Sequence, residues 1–256
     1  MTKLAGMASS VVLVAVGCAS TPIASSQEPE AATAANWDGS VRSWGSLREV
    51  LRLGKTEARV DCAEAVSRAH AYGVGALEGV SGEILIRDGE VWVSRVVDGQ
   101  GQTLQASSPG EQQATFLAVA NVPGWHDVAV QEAVAAGDVD AFIAKEARRL
   151  GFDMAKPFPV VVEGAVSGLK LHVLNGACPF AAPIPPDSPQ APFKLELGTA
   201  RGIVVGFYSE GPPGELTHHS SKTHLHVLVE GEEPQMGHVD SMGLQAGAVL
   251  RLPRVR

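Results

Sequence analysis

Basic charge is scarce in this chain, and that scarcity excludes one class of partner. Twenty lysines and arginines stand against 28 acidic side chains, for a formal charge of −8. No basic cluster interrupts the balance, so nothing offers nucleic acid an electrostatic footing. Cysteine is scarcer still, with only Cys18, Cys62 and Cys178. If Cys18 is committed elsewhere, one Cys62 to Cys178 bridge is the most an oxidising compartment allows, and two free thiols fit equally well. The one apolar run near the N-terminus, Val11 to Val16, is too short to cross a bilayer as a permanent helix. What the chain does have is 256 residues, 45% of them hydrophobic and 19% charged. That suffices for one sizeable folded domain and fits neither a disordered nor a fibrous protein.

The N-terminus has its own character. Lys3, the Val11 to Val16 run and Gly17-Cys18 read as a signal peptide over residues 1–17. Ala15-Val16-Gly17 before Cys18 resembles a bacterial lipobox, which implies that Cys18 becomes the lipidated first residue of an exported protein. Plain secretion, with cleavage near Ala19-Ser20, is the alternative. Cleavage removes only Lys3, so 19 basic and 28 acidic side chains remain. A surface so acidic has no polybasic patch, which makes the lipid the only expected membrane attachment. Residues 18–40, rich in Ser, Thr, Pro, Ala and Glu, read as a flexible tether, leaving 41–256 as the folded domain, with order beginning near Trp44.

Behind Ser46, a good N-cap, Leu47, Val50 and Leu51 recur at helical spacing until Gly54. Further helices are predicted over residues 62–70, 128–136 and 139–150, the last closed by Arg148, Arg149 and Gly151. Alternating patterns predict strands at Val74 to Leu77, Glu83 to Ile86 and Val91 to Val93, with an Asp88-Gly89 hairpin turn between the last two. From Phe158 onward β patterns return at 160–163, 169–174, 202–208, 223–229, 237–240 and 249–252, with Pro-rich loops between them. The irregular order of strands and helices predicts an α+β domain with a mixed sheet.

The chemistry gathers at the histidines. His224 and His226 are separated by one residue on a strand, so both leave the same face. A turn at Gly231-Glu232-Glu233 that pairs Glu230 with Pro234 sets His226 opposite His238, with Cβ atoms roughly 4.5 to 5.5 Å apart. Three neutral imidazoles with a fourth position open suit a catalytic zinc better than a structural one, and one ion per chain is expected, with manganese, iron and nickel as alternatives. His218 and His219, in a polar Thr-His-His-Ser-Ser-Lys run, read as solvated loop. His70, His126 and His172 are isolated.

These residues resemble the α-acetolactate decarboxylase family. The family's metal-binding His-x-His and following Gly-His-Val are matched by His224, His226 and Gly237-His238-Val239. Its Gly-x-Gly and Asp-Gly-Glu strands are matched by Gly73-Val74-Gly75, Ser81-Gly82-Glu83 and Asp88-Gly89-Glu90. Gly198-Thr199 and Val205-Gly206-Phe207 match the strand before the metal motif. The resemblance runs from about Trp44 to Pro253. It implies a sheet joined to a small β-barrel with flanking helices, commonly a dimer, with zinc near the barrel and Glu83 as the active-site glutamate. The implied reaction takes carbon dioxide from a 2-hydroxy-3-oxo acid.

Two departures qualify the resemblance. The family places an arginine where Val161 stands, and valine cannot clamp an anion. Its acidic residue beyond the final Leu-Pro strand has no match, since Leu252-Pro253 is followed by Arg254, Val255 and Arg256. His172 is the first candidate substitute, followed by Lys170 and Arg201. His224, His226, Glu230 and Gly237 also satisfy a cupin-like spacing, but the nearness of His238 argues against it and leaves Glu230 as a turn residue. Other classes compatible with the scaffold are an exported protein that binds a metal or small anion without decarboxylating, and a zinc hydrolase with Glu83 activating water.

Overall fold

The computed structural model describes Met1 and Thr2, residues 35–219 and residues 221–255. Cys18, most of the signal peptide and most of the tether lie outside the described residues. Order reaches further back than expected. Trp37 is buried in the main core, and its N–H donates to the carbonyl of Arg254 at 2.7 Å.

The first sheet contains β1 (Arg42–Trp44), β2 (Val60–Asp61), β3 (Ala71–Leu77), β4 (Glu83–Arg87), β5 (Glu90–Val97), β6 (Gln100–Gln105) and β7 (Gln113–Asn121), in the order β1-β7-β3-β4-β5-β6 with β2 also on β7. The second contains β8 (Trp125–Ala129), β9 (Phe158–Val173), β10 (Phe193–Tyr208), β11 (Thr223–Val229), β12 (Gln235–Leu244) and β13 (Val249–Pro253). β9 pairs with β10, β10 with β11, β11 with β12, and β12 again with β9, so four strands close on themselves as a small barrel. Helices are few: α1 (Leu47–Leu53), α2 (Cys62–Ala65) and α3 (Val139–Arg149). The class is α+β, and the sheet expected to be mixed is antiparallel in every pairing described.

Several elements follow directly from local chemistry. Ser46 Oγ accepts from the N–H of Glu49 at 3.2 Å, and Gly54 ends α1 in the left-handed region. Asp88 and Gly89 both have positive φ, as a two-residue hairpin turn requires between β4 and β5. Others depart from the sequence pattern. The helix expected over 62–70 stops at Ala65. His70, with φ 57°, then turns the chain into β3. The helix expected over 128–136 is absent: Val128 and Ala129 pair with β13, Val130 donates to Ala248, and Val134 bridges Leu244. Ladder hydrogen bonds to waiting strands outweigh the helical preference of its alanines. The separate strands expected at 160–163 and 169–174 are one strand, β9, bent at Gly164 and Gly168 where φ is positive.

Alternation on β4 sorts its side chains between two cores. Ile84 and Ile86 pack with Val91, Val93 and Cys62 on the outer face, whereas Leu85 joins the core between the sheets. Glu83 has the parity of Leu85, so it too points at the barrel. Cys62 and Cys178 are both free thiols, the first fully buried and the second half-buried.

Candidate metal centre

The β11–β12 hairpin sets the histidines. Its register places His226 opposite His238, and the next pairing places His238 opposite His172 on β9. Opposed residues share a face. The row continues on the other side through Val205 to Val161, so Val161 lies in the same row as three of the imidazoles. Gly206 and Gly237 permit the close approach: a Cβ on Gly206 would meet the carbonyl of His224, and one on Gly237 the carbonyl of His172.

The rings of His224, His226 and His238 lie with centroids 5.0 to 5.4 Å apart. His224 Nδ1 donates to the carbonyl of Leu216 at 2.9 Å, which fixes the tautomer and leaves Nε2 as a lone-pair donor. His226 is fully buried, and although the Ile84 backbone approaches its ring, neither ring nitrogen makes a well-formed hydrogen bond, an arrangement costly without a further ligand. Burial, followed by the neighbouring imidazoles, holds the pKa of His226 and His238 well below the ordinary value, and burial takes His224 to about 3. All three are therefore neutral at pH 7, the form a cation needs. The donor set fits a divalent transition metal.

Glu83 faces this group. Its Oε2 lies 3.6 Å from His226 Nε2, and its Oε1 accepts from the Leu174 N–H at 3.2 Å. Only 2% exposed, it has a pKa pushed up to about 7 by burial, which the Leu174 hydrogen bond and His172 offset only in part. His172 is buried beside it, with Nδ1 donating to Asp240 Oδ1 at 2.8 Å. Both residues, with His224 and His238, line an inner cavity of about 30 Å³ walled by Val50, Gly75, Phe116 and Cys178. Phe180 and His218 separate it from an outer groove of about 330 Å³ along α3 and β12.

Glu83, His172, His224, His226 and His238 thus line one region, but among the described residues the ligand atoms that lie within 4.8 Å of one another are those of His218, His224 and His238, so His226 of the expected trio stands outside the tightest cluster. Lys170 and Arg201 lie apart from this region: they are exposed and face Glu196 and Glu230 at 3.1 and 3.7 Å. Glu230 is accordingly a surface turn residue. Among the described residues no lysine or arginine lines either cavity, and Val161 is buried in the apolar core. Sequence reasoning missed three participants. His218, read as solvated loop, sits against the trio, and its nearest ligand atom lies with those of His224 and His238 within a common 4.8 Å. Phe180 stacks on it at 4.1 Å. Asp240 had a signal available, because it follows His238 by two residues on the same strand.

An antiparallel barrel on a second sheet, with buried histidines and one buried glutamate between them, defines a candidate metal-dependent enzyme. The sequence profile described as alpha-acetolactate decarboxylase matches residues 46–251, and the chain belongs to that family. Solved structures agree on the fold. A Staphylococcus aureus protein described as similar to alpha-acetolactate decarboxylase superposes with a TM-score of 0.63 at 17% identity, over 83% of this chain and 85% of that one. The alpha-acetolactate decarboxylase of Bacillus subtilis strain 168 gives 0.62 at 16%, over 84% and 86%. That of subspecies spizizenii gives 0.64 at 16%, over the same shares. No curated protein matches the chain.

Proposed function

We propose that the domain is a metal-dependent lyase that removes carbon dioxide from a 2-hydroxy-3-oxo acid, slowly or on an altered substrate. The observation that carries this reading is the buried Glu83 carboxyl 3.6 Å from a buried imidazole that makes no well-formed hydrogen bond. His224, His226 and His238 would hold the ion, with zinc the first choice for an all-imidazole set. When bound, such an ion supplies Lewis-acid stabilisation of negative charge on substrate oxygens.

The chain's own residues supply the rest. Glu83, with a pKa near 7, is populated in both protonation states at neutral pH. Its Oε2 can therefore take the proton of the substrate hydroxyl and deliver it to carbon once carbon dioxide has left, while the oxygen regains a proton from solvent, the one proton that the reaction consumes. The Asp240 hydrogen bond orients His172. Val50, Phe116 and Leu174 keep bulk water from the carboxyl. The weak point is the substrate's carboxylate, for which no cationic side chain lines the cavity. Loss of one preorganised contact of that kind costs on the order of 10² to 10³ in rate.

The test is acetoin formation from racemic acetolactate by the zinc-loaded protein. Slow but measurable turnover is expected, falling by about 10² or more in Glu83→Gln. The missing cation and the narrow cavity favour a second reading, a protein that binds a metal or small anion without catalysis. No acetoin above the rate with zinc alone would exclude acetolactate as the substrate and move the weight to that reading.

A further inference from the structure

His218 is not where a solvated loop histidine belongs. Its neighbour His219 is exposed and reaches out to Arg52 at 3.2 Å. His218 instead turns inward, with its ring centroid 5.6 Å from that of His224 and 5.2 Å from that of His238. The ligand atoms of these three residues form the one tight cluster able to hold an ion among the described residues. On its far side Phe180 stacks across it at 4.1 Å and 26°.

The segment that carries it is tied down at several points. Leu47 and Arg48 of α1 donate backbone N–H groups to Glu215 and Gly214 at 3.2 and 2.6 Å, and Gly214 donates to Thr217 at 2.8 Å. Asp140 of α3 accepts from the Lys222 N–H at 2.7 Å and from Thr223 Oγ1 at 2.7 Å. The Leu216 carbonyl is the same one that orients His224.

We propose that His218 is a fourth ligand of the ion held by His224, His226 and His238, delivered by residues 209–219. This rests on reading the trio as metal ligands. Four imidazoles would complete a tetrahedral shell, and Phe180, stacked on His218, would then stand between substrate and that position. The inner cavity of about 30 Å³, room for little more than one water, agrees with such a shell.

Cobalt(II), whose visible bands report ligand number and type, gives a readout independent of turnover. The chelated protein should take up about one cobalt per chain with the intense visible absorption of a four-coordinate site. His218→Ala should shift and weaken that absorption and lower affinity by on the order of 10- to 100-fold, while His219→Ala changes neither. His218→Cys should add a sulfur-to-cobalt charge-transfer band in the near ultraviolet, which guards against a fold defect in the alanine variant. An unchanged spectrum and affinity in His218→Ala, with no such band in His218→Cys, would overturn the fourth ligand and leave the trio standing. Failure of the unaltered protein to bind cobalt would overturn both.

Discussion

His226 is the member of the expected trio that lies outside the tight cluster of His218, His224 and His238, so its role is the one a variant tests most directly. Its two ring nitrogens make no well-formed hydrogen bond, so removing the ring would remove a ligand and the imidazole that lies 3.6 Å from Glu83. His226→Ala should lose the bound metal, seen as a fall from about one ion per chain to a trace by elemental analysis. Retention of stoichiometric metal in that variant would remove His226 from the ligand set. Sequence made this residue legible because two histidines one residue apart on an apolar strand can only share a face. It did not make His218 legible, since its placement depends on what residues 209–219 and 221–222 lean against, namely Leu47, Arg48 and Asp140. Nor could it show that Lys170 and Arg201 point to solvent, because both lie on strands whose faces are fixed by the partner sheet.

At the scale of elements, the site is a matter of strand spacing. β10 and β11 approach so closely at Gly206 that an added methyl would strike the His224 carbonyl, and the barrel cannot widen there without moving both metal-motif histidines. Gly206→Ala should therefore lower stability by about 1 to 3 kcal/mol and weaken metal binding out of proportion to that loss. Denaturant unfolding and a metal titration on the same sample would separate the two effects, and wild-type affinity in a folded variant would refute the coupling. Hairpins and caps were readable because their chemistry is local, as at Ser46, Gly54 and Asp88-Gly89. Of the five strands that escaped, β1, β2 and β8 are short, and the other two show why. β7 is the central partner of β1, β2 and β3, but its buried Ala114 to Ala120 segment shows no alternation, as expected of a strand covered on both faces. β6 is polar and pairs only with β5, so its composition resembles that of a loop.

For the whole molecule, burying four imidazoles together sets how stability depends on pH when no metal is bound. His224 is held at about 3, His218 at about 4, and His226 and His238 well below their ordinary value of 6.5. Each has a folded pKa below its unfolded one, so each stabilises the fold above pH 6.5 relative to acid and loses that contribution as pH falls toward the folded value. Glu83 acts in the opposite sense. Its folded pKa of about 7 exceeds its ordinary 4.5, so its contribution is present below pH 4.5 and fades as pH rises to 7. Between pH 7 and 5, four histidines outweigh one glutamate, since the unfolded chain gains more protons than the folded one. The Tm of the chelated protein should therefore fall on the order of ten degrees across that window. Added zinc should raise Tm at pH 7 and do so less at pH 5, because protons compete with metal for the same nitrogens. Calorimetry across the range checks both. A chelated protein whose Tm is flat from pH 7 to 5 would mean that the imidazoles are solvated or already charged in the folded state, and the case for a neutral, metal-ready cluster would fall with it.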